Sequence, residues 1–106
     1  MPSTTVGPAA RRIADLHCDL LCYLDYAPGR TAYDADSHVS IPQMLAGGVA
    51  FQVLAIFGLT GSNSTRFGTG QAAAFRQIVD ECPEIVNVDG AAGLDTLEPG
   101  QIGVNR

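Results

Sequence analysis

The chain has 106 residues, which is enough for one small domain. Eleven acidic residues outweigh six basic ones, all arginine, for a net charge of −5. Nucleic acids and anionic membranes are bound through basic patches, so this balance argues against both kinds of partner. The sequence has neither an apolar run near the ~18 residues of a membrane helix nor a secretion signal. We therefore expect a cytoplasmic protein.

The first 21 residues divide into an arm and a strand. Residues 1–12, rich in Pro, Gly, Ser and Thr, are predicted to form a flexible N-terminal arm. The sequence IADLHCDLL then alternates polar and apolar positions, with Asp15, His17 and Asp19 at the polar ones. This alternation predicts a strand whose polar side chains share one face. Residues 23–39, which contain Asp, Gly, Pro and Tyr, are predicted to form a long loop.

A short helix and a second strand are predicted next. Ser40 is a suitable N-cap for a helix over residues 41–46, with Pro42 in its first turn and glycines 47 and 48 at its end. Residues 49–57, VAFQVLAIF, are apolar except for Gln52. Such a run is typical of a strand covered on both faces, as in a parallel sheet.

The rest of the chain continues the alternation of helices and strands. Residues 58–70 are predicted to be a loop, and residues 71–82 a helix that ends at Pro83. A short strand is predicted at 85–88, a helical turn at 94–97, and a strand at 102–104. This order predicts an α/β fold with a parallel sheet. One apolar face of the longer helix is formed by Phe75, Ile78, Val79 and Cys82.

His17 and Asp19 are the leading candidates for a functional site. Residues i and i+2 of a strand point to the same side, so an imidazole and a carboxylate here can reach one metal ion together. They lie at the carboxyl end of the first strand, where α/β folds place their active sites. The alternative is structural, with His17 a buried histidine that has a partner and Asp19 a cap for the following turn.

Other patterns in the chain point to function less specifically. The Gly-rich segment 58–70 has no lysine, which a phosphate-binding loop requires, and is interpreted as a plain loop. The three cysteines are odd in number and include no CxxC pair, which argues against a disulfide framework and against a zinc ribbon. A structural zinc site from His17, Cys18, Cys22 and His38 is conceivable, but buried apolar cysteines are the better interpretation.

Two blocks of this sequence form a more specific pattern. The first is the segment containing Asp15-x-His17-x-Asp19. The second is VSIPQMLAGGVAFQ at residues 39–52, with its Pro, Gly-Gly-Val and Gln. Both blocks resemble segments of the membrane (renal) dipeptidase family of zinc peptidases. The two blocks together, in this order, are more specific than either alone. The resemblance covers residues 13–57 clearly and the helix at 71–82 loosely.

The resemblance implies a (β/α)8 TIM barrel of the metal-dependent hydrolase type, with a two-zinc site that hydrolyses dipeptides. His17 and Asp19 match two ligands of one zinc, while a bridging Glu and two His come from later strands in the family. Such a barrel takes ~250 residues, so residues 13–106 are expected to be its N-terminal part, with two to three βα units. We expect this fragment to be inactive alone. The alternative is a non-catalytic product or a small module that self-associates into a homo-oligomer.

Overall fold

A computed structural model describes residues 12–58 and 61–106 of the chain. Within them, four parallel strands form one sheet, in the spatial order Ile13–Cys18, Val49–Leu54, Ile102–Asn105 and Ile85–Asn87. The predicted α/β fold with a parallel sheet is confirmed, whereas the predicted arm lies outside the described residues except for Arg12. The strands are β1 (Ile13–Cys18), β2 (Val49–Leu54), β3 (Ile85–Asn87) and β4 (Ile102–Asn105), and the helices are α1 (Leu20–Tyr26), α2 (Ile41–Ala46), α3 (Ser64–Glu81) and α4 (Ala91–Asp95).

Strand β1 is an edge strand and does not keep a strict alternation. Its Asp15 pairs with Gln52 and its Cys18 with Leu54, so three residues of β1 span the length of two on β2. This irregularity has the count of a β-bulge, which shifts the side chains that follow it. Cys18 is consequently buried while Leu16 is 74% exposed. The predicted strand is also too long, because Asp19 lies beyond its end.

Helix α1 occupies the start of the segment that was predicted to be a loop. The prediction was wrong for residues 23–26, and a short 3-10 turn at Ala35–Ser37 interrupts the remaining loop. The helix forms because Leu20 and Leu21 are fully buried in the core and Leu24 packs against it. Tertiary packing of this apolar side stabilises a seven-residue helix that would be marginal on its own.

Helix α2 begins and ends as its sequence predicts. The Ser40 hydroxyl accepts a hydrogen bond from the Gln43 backbone N–H at 3.3 Å, and the Gln43 side chain accepts one from the Ser40 N–H at 3.0 Å. This reciprocal pair is a capping box, with proline in the first turn. After the helix, Gly48 has a φ of 82°, a left-handed conformation that favours glycine.

Strand β2 is shorter than predicted and is buried unequally on its two faces. It ends at Leu54, and Ile56 and Phe57 beyond it are 42% and 52% exposed. Gln52 and Leu54 are fully buried on one face, whereas Val49, Phe51 and Val53 on the other are half-buried. Among the described residues, only one of the two faces of β2 is therefore fully covered.

Helix α3 begins at Ser64, not near Gly70 as predicted, and it ends before Pro83 as predicted. Its first turns are polar and exposed, so their composition resembles that of a loop. The Thr69 hydroxyl donates to the Thr65 carbonyl at 2.7 Å, which is the bond that serine and threonine make inside helices. Its apolar face packs into the core as predicted.

One core fills the space between the sheet and helices α1, α2 and α3. Its largest members come from both the helices and the two central strands: Leu20, Leu21, Ile41, Met44, Leu54, Phe75, Ile78, Ile102 and Val104. Because the strands are parallel, their carboxyl ends meet at one edge of the sheet. His17 and the residues after β2 lie at that edge.

Candidate functional site

His17 and Asp19 lie together at the carboxyl end of β1. The His17 Nε2 atom is 3.2 Å from the Asp19 Oδ1 atom. Their side chains are 67% and 58% exposed, so His17 is not the buried histidine of the structural alternative. Asp19 occupies the N-cap position of α1, but its side chain makes no capping hydrogen bond. The capping role proposed for Asp19 is therefore wrong, and its carboxylate faces the imidazole instead.

The two sequence blocks meet directly beneath this pair, through Asp15 and Gln52. The buried Gln52 amide donates from Nε2 to the Asp15 Oδ2 atom at 2.9 Å and to the Val53 carbonyl at 3.1 Å. A buried amide without partners would be costly, so these bonds fix the Gln52 side chain. The contact joins β1 to β2 one pleat below His17 and holds the site's strand in register.

An open depression of about 510 Å³ surrounds the pair. It is formed by the end of β1, by α1 and by the loop after α1. Its ionisable and aromatic lining includes Asp15, His17, Asp19, Tyr23, Tyr26 and Arg30. This mixture of an imidazole–carboxylate pair, a cation and aromatic rings suits a small polar ligand.

Hydrogen bonds order the loop at the far side of the depression. The Asp34 carboxylate accepts from the Thr31 backbone N–H at 2.8 Å, the Thr31 hydroxyl at 2.9 Å and the Tyr23 hydroxyl at 2.9 Å. These bonds, led by the Thr31 N–H, lower the pKa of Asp34 below its ordinary value. Desolvation, followed by the bond to Asp34, raises the pKa of the Tyr23 phenol. These bonds fix the loop around Thr31 and Asp34 and attach it to Tyr23 of α1.

The structural zinc alternative has no ligand group among residues 12–58 and 61–106. No cluster there contains three His, Cys, Asp or Glu side chains able to hold a metal. Cys18 and Cys82 are buried, and desolvation raises the pKa of both thiols, which makes them poor thiolate ligands. His38 ends the 3-10 turn in a left-handed conformation with a φ of 65°.

A buried glutamine holds the chain just before the Gly-rich segment. Gln71, 1% exposed, accepts from the Phe57 backbone N–H at 2.8 Å and donates to the Phe57 carbonyl. These two bonds attach the chain leaving β2 to α3. The predicted plain loop spans only residues 58–63, of which 59 and 60 lie outside the described residues.

Sequence reasoning missed Arg30, Tyr23 and Tyr26 as members of the site. They fall in the segment interpreted as a loop, and no motif marks them. One signal was present, since Tyr23 and Tyr26 are three residues apart and share a side of α1. Had α1 been predicted, this spacing would have placed both rings beside the end of β1.

A scan against models of protein families finds no match for this chain, and a search of curated proteins finds none either. The dipeptidase resemblance therefore depends on the quoted residues alone. Among the described helices, none has both the length and the apolar character needed to cross a bilayer.

Proposed function

We propose that this chain supplies the first strands of a zinc dipeptidase barrel, with His17 and Asp19 as two ligands of one zinc ion. The observation that carries the proposal is the 3.2 Å separation of His17 Nε2 and Asp19 Oδ1 at the carboxyl end of a parallel strand. Active sites of (β/α)8 barrels lie at that end of the strands. Strands β1 and β2 are neighbours in chain order, as in a barrel, whereas β4 takes the place next to β2 and the short β3 lies on its outer side.

The geometry of the pair fits zinc. Two ligands at about 2.1 Å from a tetrahedral zinc are about 3.4 Å apart, close to the observed 3.2 Å. One imidazole nitrogen and one carboxylate oxygen are also donor types that zinc prefers. Both side chains are more than half exposed, which leaves room for ligands from other strands to approach.

In this proposal the protein holds and orients the metal while the metal supplies the chemistry. Bound zinc lowers the pKa of a coordinated water and polarises the scissile carbonyl. The Asp15–Gln52 hydrogen bond keeps β1 in register, so that His17 stays at the mouth of the depression. A catalytic zinc has about three protein ligands, and the resemblance assigns the bridging Glu and two His to other strands. The described residues alone are expected to bind zinc without hydrolysing peptides.

The test is a zinc titration of the full chain against a chromophoric chelator. We expect His17→Ala and Asp19→Asn each to weaken zinc binding at least about 10-fold, because even outer-shell changes cost about 10–100-fold. His38→Ala is the matched control, since His38 is exposed and does not line the depression. The proposal fails if zinc binds equally well without His17, or if His38→Ala produces the larger loss.

A second candidate function is self-association, favoured by the exposed edge strand β1. Ile13 is 46% exposed and Leu16 is 74% exposed on this strand, which has no neighbour on its outer side within the described sheet. Unpaired edges with apolar side chains favour pairing with another chain. Light scattering after size-exclusion chromatography would show a homo-oligomer that Leu16→Lys disperses; a monomer at high concentration would contradict this function.

A further inference from the structure

A zinc ion held by His17 and Asp19 alone lacks half of its coordination shell. Zinc in a closed site takes four protein ligands in a tetrahedron, and this pair supplies two of them. Within residues 12–58 and 61–106, no third His, Cys, Asp or Glu side chain joins the pair in a cluster able to hold a metal ion. The other two coordination positions are therefore open to another molecule.

Both side chains lie where a second protein molecule can reach them. They are 67% and 58% exposed, and they lie in an open depression at the end of β1. Strand β1 is at the edge of the described sheet, so no neighbouring strand covers its outer side there. Apolar surface surrounds the pair, because Leu16, which precedes His17, is 74% exposed and Tyr26, on the wall of the depression, is 80% exposed.

We propose that one zinc ion joins two copies of this chain through His17 and Asp19 of each copy, an inference that rests on the metal ligands of the proposed function. The second copy brings the same imidazole and carboxylate, so two nitrogen and two oxygen ligands complete the tetrahedron. Both copies use the same surface, as in the twofold-symmetric dimers that are commonest among homo-oligomers.

The dimer and a complete barrel exclude each other, because both use this pair of ligands. Zinc with four protein ligands has no open position for water or substrate, which catalytic zinc requires. The dimer is therefore an inactive form of the site, and it stabilises bound zinc until ligands from other strands replace the second copy.

Charge makes this association depend on zinc. Each copy has a net charge of −5, and two Asp19 carboxylates brought to one point repel each other. The two positive charges of Zn²⁺ balance these two carboxylates, while the imidazoles bind as neutral ligands. Without the metal the two copies should therefore stay apart at this face.

The experiment is sedimentation equilibrium of the full chain at increasing zinc, with zinc binding measured in parallel by a chromophoric chelator. We expect the mass to rise from 11.1 kDa to about twice that value, with a maximum at one zinc ion for two chains. Excess zinc should return the chain to monomers, because each copy then holds its own ion. Removal of zinc by EDTA should do the same.

Two ligand variants and one control test the residues of this interface. His17→Ala and Asp19→Asn each remove two of the four ligands, since both copies carry the change, so both variants should remain monomers. His38→Ala should dimerise as the unchanged chain does, because His38 is exposed and does not line the depression. Circular dichroism checks that each variant keeps its fold.

The outcomes separate this inference from the proposed function. A chain that binds zinc through His17 but stays monomeric at every zinc ratio would overturn the inference and leave the proposed function standing. A zinc-dependent dimer that persists in both His17→Ala and Asp19→Asn would overturn the inference and the proposed ligands together. A dimer that EDTA leaves intact and Leu16→Lys disperses would also overturn the inference, because it would show pairing of β1 edges without metal.

Discussion

Gly103 offers a quantitative test of the sheet that positions the site. It is buried in β4, where it pairs with Phe51 on one side and Val86 on the other. A Cβ atom added there would lie 2.8 Å from Val88 Cγ2 and 3.0 Å from Leu97 Cδ1. Gly103→Ala therefore inserts one methyl group into space that two side chains already fill.

The expected loss of stability follows from these two contacts. Val88 is 4% exposed and β-branched, so its side chain has little freedom to rotate away. Overpacking of this kind lowers the free energy of unfolding by about 1–3 kcal/mol, and replacing glycine within a strand raises it by about 0.5–1 kcal/mol. The midpoints of these two ranges differ by about 1 kcal/mol, so we expect Gly103→Ala to reduce the free energy of unfolding by about that amount. The melting temperature should fall by about 4–8 °C per kcal/mol for a domain of this size.

The assay is urea unfolding followed by circular dichroism, with Gly68→Ala as the matched control. Gly68 lies within α3, and a Cβ there meets no atom within 4 Å. Alanine at that helical position should stabilise the protein by about 0.5–1 kcal/mol. The two glycine-to-alanine changes thus have opposite predicted signs. An unchanged or increased stability of Gly103→Ala beside a stabilised Gly68→Ala would refute the packing described around β4.

Three further predictions concern the surroundings of the site. Gln71→Leu should lower the free energy of unfolding by about 1–3 kcal/mol and accelerate amide exchange at Phe57, because it leaves the Phe57 N–H and carbonyl without partners. The control Gln77→Leu, on the exposed side of α3, should change both quantities little. Because folding lowers the pKa of Asp34, its carboxylate stabilises the protein above about pH 3.9, and this stability is lost as the pH falls through the lowered pKa. Asp34→Asn should therefore make the free energy of unfolding less dependent on pH in the acid range. An unaltered pH dependence would contradict this. Iodoacetamide should alkylate the half-buried Cys22 before the two buried thiols, and mass spectrometry showing another order would contradict the described burial.

The fold class was predictable because its signals are local. The apolar run of β2, the capping box at Ser40 and the apolar face of α3 each appear within a few residues of sequence. Each also agrees with the packing of the sheet against the helices, so local preference and tertiary structure point the same way. The position of β4 between β2 and β3 depends on contacts between residues far apart in the sequence, so no local pattern predicts it.

The errors fall where tertiary packing overrides local composition. Helix α1 follows a strand without a break and is stabilised by the burial of Leu20 and Leu21, not by helix-favouring residues at its ends. The first turns of α3 carry Ser, Thr and Gly, which favour loops in isolation. The bulge in β1 arises from its pairing with β2, so the residue pattern of β1 alone does not predict it.

The candidate site was predicted in part for the same reasons. The HxD spacing predicted that His17 and Asp19 lie side by side, and their side chains are 3.2 Å apart, although Asp19 lies beyond the end of β1 and not within the predicted strand. The contact between Asp15 and Gln52 joins residues 37 positions apart, so it required the sheet to be known. Arg30 enters the depression only because α1 turns the chain back towards the end of β1.

The most direct test of zinc binding by His17 and Asp19 is X-ray absorption at the zinc edge on the full chain loaded with one equivalent of zinc. Zinc held by these residues should show a first shell of nitrogen and oxygen scatterers at about 2.0–2.2 Å, and His17→Ala should diminish its imidazole component. Sulfur scattering at about 2.3 Å would show that zinc is bound by cysteine and would contradict the assignment of His17 and Asp19 as the metal ligands.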